Sequence, residues 1–296
     1  MCELCTKHAK RGARWYEEYE NYLFTKIFPT PEQQEAAKVA MVKTFADTEW
    51  RYTEPQYIRN PEFLRERATS GFGAQVISLE ESLKVLKLAD EATKREDSMV
   101  VVGHCPCTLV YRGTRDYVCI GFGMPVTMSM EVAYGRLPKE GLTEFGSADW
   151  SEIRRQVRNG AKVPLKYEEA EELLRDWEKK GLWHLIMGRG RMPLIEAICN
   201  CERPYCTYWR NRMITGVKEY CLKGHYIARI DPLVCTSCGA CAEACQFGAI
   251  HTSKWSDRTS VDPTMCYGCG LCRVPCSAEA ITLIPRESVP AARNLW

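Results

Sequence analysis

The feature that most constrains this chain is a pattern of four cysteines that occurs twice near its C-terminal end. CTSCGACAEACQFGAI begins at Cys235, and CYGCGLCRVPCSAEAI begins at Cys266. In both copies the cysteines are spaced C-x2-C-x2-C-x3-C, and glycine follows the second cysteine, at Gly239 and at Gly270. Clustered thiols at short spacings favour metal ligation over disulfides. The two motifs are therefore predicted to bind metal.

The repeat extends beyond the cysteines, because the matching segments begin at Ile230 and Val261 and end at Ile250 and Ile281. Each half is predicted to form a short strand, a cysteine loop, a helical turn and a return strand. Residues 226–285 resemble the bacterial two-cluster ferredoxin domain, in which four thiolates hold each [4Fe-4S] cluster. The resemblance implies a unit that carries single electrons.

The resemblance also implies that the two ligand sets cross between the halves, since the fourth cysteine of each motif ligates the other cluster in this family. Cluster 1 is assigned Cys235, Cys238, Cys241 and Cys276. Cluster 2 is assigned Cys266, Cys269, Cys272 and Cys245. The family usually has proline after the fourth cysteine, whereas this chain has Gln246 and Ser277. Two zinc sites are the alternative, but zinc sites typically use separated C-x2-C pairs, and this motif has three cysteines at successive x2 spacings.

The remaining composition is that of a globular protein. Of the 296 residues, 45% are hydrophobic and 26% are charged, and the formal net charge of +2 indicates neither a nucleic acid nor an acidic partner. The 17 cysteines cannot all pair within the chain, because their number is odd. No apolar run approaches the roughly 18–20 residues that cross a bilayer, and a charged stretch replaces a signal peptide. The sequence predicts a cytoplasmic protein without a membrane span.

The predicted fold class is α+β, with a mixed α/β domain over 1–225, a ferredoxin-like dicluster domain over 226–286 and a tail over 287–296. Helices are predicted over 14–28, from Thr30 to about Ala46, from Ser78 onward, over 148–158 and over 166–180. Strands are predicted over 99–102, 117–120, 182–187 and 194–199. A winged-helix DNA-binding domain is an alternative for 166–199, but its helix is acidic and suits phosphates poorly.

Six further cysteines lie at or just beyond the ends of the predicted strands. They are Cys105, Cys107, Cys119, Cys199, Cys201 and Cys206. Strand ends that converge on one sheet edge would bring these thiols together. The hypothesis is a third Fe–S cluster or a zinc site that uses four of them, with His104 or His184 as alternates. The alternative is that several are core residues, Cys119 first among them, because free cysteine packs as a small hydrophobic side chain.

Two further motifs carry a resemblance that extends over the whole chain. The sequence reads GLWH from Gly181 and ICNC from Ile198. This resembles a group of 4Fe-4S binding proteins of anaerobes, in which an N-terminal cysteine-bearing α/β domain is fused to a two-cluster ferredoxin domain. The resemblance implies this architecture and a role in anaerobic metabolism. In that group the cysteines after ICNC are denser, whereas here four residues separate the motif from Cys206.

Three cysteines remain. Cys2 and Cys5 form a C-x2-C pair at the start of the chain. Either they join a metal site, completed by His8 or by a partner chain, or they have no role. Cys221 stands alone in the sequence and is predicted to pack in the core.

These features lead to three functional hypotheses. The first is an electron-transfer protein or subunit of an oxidoreductase, whose redox partner is a flavoprotein, a ferredoxin or a molybdo- or tungsto-enzyme. The second is a reductase, in which the two clusters supply electrons to a catalytic or third metal site within 99–206. The third is a redox or metal sensor. The chain has no dinucleotide-binding glycine motif, P-loop or H-E-x-x-H motif, which gives the second hypothesis little support.

The segment from Arg189 to Arg229 is rich in arginine, lysine and aromatic residues. Either it is an ordinary solvated face, or it is a docking face for an acidic redox protein or an anionic substrate. Basic and aromatic mixtures also bind single-stranded nucleic acid, but we do not expect that here.

Overall fold

The computed structural model describes residues 2–10, 12–37, 72–114, 116–123, 163–189, 193–253, 255 and 258–296. These residues form helices and antiparallel sheets, which confirms the α+β class. Residues 31–37 are helical, and the rest of the helix predicted from Thr30 to about Ala46 lies outside the described residues. The helix predicted over 148–158 also lies outside them.

A six-stranded sheet forms the centre of the N-terminal part. Its strands are β1 (Phe72–Ile77), β2 (Val100–His104), β3 (Tyr117–Phe122), β4 (Val163–Pro164), β5 (Trp183–Arg189) and β6 (Ile195–Cys201), in the order β1-β5-β6-β3-β2-β4. Every neighbouring pair is antiparallel. The four predicted strands are present as β2, β3, β5 and β6, each within two residues of its expected start. Strand β1 was not predicted.

Two long α-helices, α3 (Leu79–Arg95) and α5 (Tyr167–Lys179), cover one face of the sheet. The shorter α-helices with named bounds are α1 (Glu3–His8), α2 (Phe24–Ile27), α4 (Pro106–Arg112), α6 (Thr207–Thr215) and α7 (Ala240–Ala244). Helix α3 begins with the predicted capping box: the Glu81 backbone N–H donates to Ser78 Oγ at 3.3 Å, and the Ser78 N–H donates to Glu81 Oε2 at 2.8 Å. Helix α5 ends before Gly181, whose φ of +86° fits a helix stop. Both predicted helices are thus confirmed.

The prediction of one helix over residues 14–28 is wrong. This segment forms 3-10 turns at Trp15–Glu17 and Tyr19–Tyr22, followed by α2. Its large side chains at Trp15, Tyr16 and Tyr22 are all at most 3% exposed. The backbone turns more tightly here than in an α-helix, and all three side chains reach the core.

The repeat region, residues 226–286, follows the six-stranded sheet. Its strands are β7 (Tyr226–Ile230), β8 (Ile250–Ser253), β9 (Arg258–Val261) and β10 (Ile281–Pro285). Strand β7 pairs with β10 and β8 pairs with β9, both antiparallel. Helix α7 in the first half and a 3-10 turn at Leu271–Arg273 in the second half follow glycines with positive φ. Both halves therefore have the order of strand, loop, helical turn and strand that the sequence predicts.

The second face of the six-stranded sheet packs against the repeat region. Trp183 and Leu185 of β5 lie in one apolar cluster with Phe247 and Tyr267. The Phe247 and Tyr267 rings stack with centroids 4.3 Å apart. Outside this core, the Arg273 guanidinium donates to both carboxylate oxygens of Glu80 on α3, at 2.6 and 2.8 Å. The two parts of the chain thus share a core.

The basic segment from Arg189 to Arg229 is largely occupied by internal contacts. Arg203 lies over the Trp209 ring at 4.0 Å, and Arg210 lies over the Tyr111 ring at 4.4 Å. Arg212 donates to the backbone oxygens of Cys221 and Trp296. These three arginines are therefore held by contacts within the protein. None of the helices in the described ranges could cross a membrane.

Candidate metal centres

The first group of repeat cysteines surrounds Cys241 at the start of α7. Burial raises the pKa of the Cys241 thiol, and the nearby thiols of Cys235, Cys276 and Cys238 raise it further. Cys276 comes from the second half of the repeat, whereas the other three come from the first half. Cys238 is exposed, so this group reaches the protein surface.

The second group surrounds Cys269 in the opposite loop. Burial raises the pKa of Cys269 well above its usual value, and the thiols of Cys272, Cys266 and Cys245 add to the shift. Here Cys245 is the member that comes from the first half. Cys266 and Cys272 are buried, and Cys269 and Cys245 are half-buried. The second group therefore lies deeper than the first.

The backbone around both groups suits sulfur ligands. The Ser237 N–H donates to Cys235 Sγ at 3.4 Å, and the Ala249 N–H donates to Cys245 Sγ at 3.3 Å. Gly268, between two cysteines of the second group, has a φ of +76°, and a Cβ there would lie 2.2 Å from the Tyr226 backbone oxygen. Sets of four thiols with N–H donors to sulfur fit [4Fe-4S] clusters.

A buried arginine lies beside the second group. Arg286 is 0% exposed, and it donates from Nε to the Gly224 oxygen at 2.6 Å and from Nη2 to the Cys266 oxygen at 2.7 Å. Burial lowers its pKa to about 10, and the guanidinium is still protonated at neutral pH. A fixed positive charge here stabilises negative charge on the surrounding sulfurs.

Comparison with known families agrees with this geometry. Residues 228–251, from β7 through the first cysteine motif to β8, match the 4Fe-4S binding domain family. The chain carries an iron–sulfur, ferredoxin-type region. This ferredoxin-type region has the ligands for at least one [4Fe-4S] cluster, and the match ends before the second motif. No curated protein and no solved structure matches the chain significantly.

Six of the nine cysteines of the N-terminal part come together at the sheet face that packs against the ferredoxin-type region. They are Cys105 after β2, Cys107 in α4, Cys119 on β3, Cys199 and Cys201 on β6, and Cys206 before α6. We call them the six-cysteine group. Cys119 and Cys199 are direct cross-strand neighbours. Cys199 and Cys201 share a face because side chains alternate along a strand.

The thiols of the six-cysteine group interact with one another. Hydrogen bonds from Cys107 and Cys119 hold the pKa of Cys105 well below its usual value. The same contacts with Cys105 raise the pKa of Cys107 and of Cys119. Cys119 also contacts Cys199, so it is a member of the group and not the isolated core residue that its apolar neighbours in the sequence indicate.

Cys201 interacts with three other thiols of the six-cysteine group. A hydrogen bond with Cys206 and burial raise the pKa of Cys201 well above its usual value, and the charges of Cys199 and Cys105 act in the same direction. These raised pKa values favour the protonated thiol at Cys107, Cys119 and Cys201 when no cation is bound. Several thiolates at once require a metal cation among them. The chemistry of the group fits a thiolate-ligated metal centre.

A cavity of about 260 Å³ lies beside four of the six cysteines. Its wall includes Cys105, Cys107, Cys201 and Cys206 together with Arg112 and Lys180. Arg112 pairs with Glu202 at 2.7 Å, and Lys180 pairs with Asp176 at 2.6 Å. The six-cysteine group is thus next to a space that a small molecule can enter.

Of the two histidines named as alternate ligands, His184 has a described side chain. His184 is fully buried, and its Nδ1 lies 2.7 Å from Asn200 Oδ1. Asn200 stands between Cys199 and Cys201 on β6, so it and His184 face away from these two thiols. His184 is therefore not a ligand of the six-cysteine group. The side chain of His104 lies outside the described part of the structure.

Cys2 and Cys5 form a separate group with a residue that the sequence did not indicate. Cys5 Sγ lies 3.1 Å from Nε2 of His225, which is 220 positions away in the chain. Among the described residues, the group of metal-ligand type contains these three side chains, and His8 is not a member. No local pattern marks His225, because its partners come from the other end of the chain. Cys221 is fully buried and lies near Cys206, as expected of a packing residue.

Proposed function

We propose that the protein is an electron-transfer protein or subunit that relays single electrons through two [4Fe-4S] clusters to or from a partner redox enzyme. The observation that supports this proposal is that the thiols near Cys241 and those near Cys269 each come from both halves of the repeat. Each group takes three thiols from one half of the repeat and one from the other. The match to the 4Fe-4S binding domain over residues 228–251 supports iron–sulfur binding by the first cysteine motif, Cys235 to Cys245.

The proposed ligand sets follow these groups. Cluster 1 is held by Cys235, Cys238, Cys241 and Cys276, and cluster 2 by Cys266, Cys269, Cys272 and Cys245. The neighbours of Cys241 and of Cys269 support this division. When bound, each cluster supplies one reversible one-electron step. The chain contributes the thiolates, the N–H donors to Cys235 and Cys245, and the positive charge of Arg286.

The different burial of the two cysteine groups supports a direction for the proposed electron transfer, with the first group at the protein surface. Cys238 is exposed, and the apolar side chains of Leu233 and Val234 next to the first group are 94% and 48% exposed. Exposed apolar side chains beside a redox group suit transient docking of a partner protein. The partner proposed here is a flavoprotein, a ferredoxin or a molybdo- or tungsto-enzyme of anaerobic metabolism.

The inner end of the route is the proposed third centre. Cys245 and Cys269 of the second group lie in the same apolar cluster as Cys199, Cys201 and Cys206. Trp183 belongs to this cluster, and its buried Nε1–H has no hydrogen-bond partner among the described residues. A donor of this kind suits a nearby sulfur acceptor. We assign a third Fe–S centre, ligated by four of the six thiols, to the six-cysteine group.

A reductase is the second candidate function, and the cavity favours it. Four of the six thiols and two cationic side chains face a space open to small molecules. In this alternative, the ferredoxin-type region supplies electrons to a substrate bound there. Glu202 and Asp116 line the cavity together with Arg112 and Lys180, so the charges of its wall are balanced.

The experiment that tests the function is anaerobic reduction followed by electron paramagnetic resonance (EPR) and transfer to a one-electron acceptor. The relay predicts signals of reduced [4Fe-4S] clusters and stoichiometric transfer, without repeated turnover by the isolated chain. Absence of reducible cluster signals would contradict it. Repeated turnover of a small oxidant that Cys206→Ala abolishes, with the ferredoxin-type signals intact, would favour the reductase.

A further inference from the structure

Three buried side chains from distant parts of the chain meet below the N-terminal segment. Cys2 Sγ lies 3.0 Å from Cys5 Sγ, and Cys5 Sγ lies 3.1 Å from His225 Nε2. All three ligand atoms lie within 4.8 Å of one another. Cys2 is 0% exposed, Cys5 is 3% exposed and His225 is 7% exposed. Three soft or borderline ligand atoms thus converge in a place that excludes bulk water.

The hydrogen bonds around Tyr16 fix the orientation and the tautomer of His225. The Tyr16 hydroxyl donates to Glu81 Oε1, which can only accept. Tyr16 Oη therefore accepts from its other two neighbours, Arg14 Nη1 at 3.2 Å and His225 Nδ1 at 3.2 Å. His225 then carries its proton on Nδ1. The lone pair of Nε2 points at Cys5, in the orientation that a metal-ligating histidine requires.

We propose that Cys2, Cys5 and His225 form a binding site for a thiophilic divalent metal ion, with Zn²⁺ as the expected occupant. Two thiolates and one imidazole are a ligand set that zinc prefers. The chain of His225, Tyr16 and Glu81 is the outer support that a ligating histidine commonly has, in which the second ring nitrogen donates toward a carboxylate.

Binding requires small changes at the site. A tetrahedral ion with Zn–S bonds of about 2.3 Å separates two sulfurs by about 3.8 Å, so the sulfurs move apart from the present 3.0 Å. The thiol protons of Cys2 and Cys5 pass to solvent when the ion binds. No fourth cysteine, histidine, aspartate or glutamate of the described ranges joins the group. A water molecule therefore completes the coordination.

The site joins parts of the chain that the backbone leaves far apart. Cys2 caps α1 and Cys5 lies in its first turn, whereas His225 directly precedes β7 of the ferredoxin-type region. The Trp296 ring also packs on His225 with centroids 5.3 Å apart. A bound ion would fasten the N-terminal segment to the junction between the two parts of the chain. A redox-active disulfide between Cys2 and Cys5 is the competing use, and it gives no role to His225.

The test is zinc quantification and zinc-edge X-ray absorption on the anaerobically purified full chain, with its clusters intact, after incubation with Zn²⁺ and removal of excess metal. We expect one zinc per chain with two sulfur ligands at about 2.3 Å and two nitrogen or oxygen ligands at about 2.0–2.1 Å. Cys5→Ser and His225→Gln should each lower zinc retention at least tenfold, with iron and sulfide unchanged. His8→Ala is the matched control and should retain zinc as the wild type does.

Three results would overturn the proposal. The first is wild-type protein without retained zinc. The second is zinc bound by four sulfurs and insensitive to Cys5→Ser, which would place the ion in the six-cysteine group. The third is a Cys2–Cys5 disulfide in anaerobically purified protein, detected by mass spectrometry after thiol alkylation. The wild-type measurements decide these outcomes even if one variant folds poorly. None of them depends on whether the ferredoxin-type region transfers electrons.

Discussion

At the scale of single residues, Gly268 shows how closely the backbone approaches the second group of repeat cysteines. A side chain at this position would meet the backbone oxygen of Tyr226 at 2.2 Å. Gly113 has almost the same φ, +75° against +76°, but nothing within 4 Å of its Cβ position. Alanine substitutions at Gly113 and at Gly268 therefore separate the cost of a positive φ from the cost of steric crowding.

We predict that Gly113→Ala lowers the free energy of unfolding by about 1–2 kcal/mol, the cost of placing alanine in the left-handed region. Gly268→Ala should cost more and should also lower the iron content, because the loop must shift away from β7. Thermal unfolding and iron analysis of both variants measure this. Equal effects of the two substitutions would show that the close approach to Tyr226 is unimportant.

The buried charge of Arg286 gives a second prediction at this scale. Arg286→Met should lower the reduction potential of one cluster by several tens of millivolts, on the order expected for loss of a unit charge within about 10 Å. Arg286→Lys retains the charge and should leave the potential near that of the wild type. Potentiometric titration followed by EPR measures both. A methionine variant with an unchanged potential would remove Arg286 from the electrostatics of the clusters.

At the scale of structural elements, the crossed ligand sets can be tested by pairing variants. Alanine replaces one cysteine at a time, at Cys238, Cys276, Cys269 and Cys245. The crossed sets predict that Cys238→Ala and Cys276→Ala leave the same surviving cluster, with the same EPR spectrum and potential. Cys269→Ala and Cys245→Ala should leave the other. If Cys238→Ala instead pairs with Cys245→Ala, each half of the repeat binds its own cluster.

The burial of His184 on β5 predicts a pH dependence of stability. Burial lowers the pKa of His184 from 6.5 to about 4. The unfolded chain therefore binds this proton more tightly, and stability falls as the pH drops from 6.5 toward 4. Between pH 7.5 and 5.5 we expect a loss of about 1 kcal/mol from this group.

Denaturant unfolding of the wild type and of His184→Gln at these two pH values measures the effect. The variant should lose less stability on acidification than the wild type, whatever its stability at pH 7.5. Equal pH dependence in both proteins would mean that His184 takes up its proton in the folded state.

Local sequence signals predicted the elements that they govern. The capping box at Ser78 and Glu81 and the stop at Gly181 gave α3 and α5, because caps act over a few residues. The helix prediction for residues 14–28 failed, because the burial of Trp15, Tyr16 and Tyr22 depends on surfaces that the rest of the chain supplies. The same reason explains His225, whose meeting with Cys2 and Cys5 is a property of the tertiary fold.

At the scale of the whole molecule, the spacing of the cysteines indicated candidate metal ligands, which the overall composition did not. The sequence predicted that Cys105, Cys119 and Cys199 converge at strand ends, but Cys119 and Cys199 lie within β3 and β6 and face each other across the paired strands. The membership of Cys119 required the pairing register of β3 with β6, which no sequence pattern shows. The sharing of one apolar cluster by Cys199 and Cys269 required the packing of the sheet on the ferredoxin-type region.

We propose that the protein contains a relay of two ferredoxin-type clusters that leads to a third centre in the six-cysteine group. The most direct test is quantification of iron and sulfide per chain, together with the number of electrons taken up in an anaerobic reductive titration. The relay predicts twelve irons, twelve sulfides and three electrons per chain. Eight irons and two electrons would contradict the third centre, and fewer than eight irons in fully reconstituted protein would contradict the two-cluster relay itself.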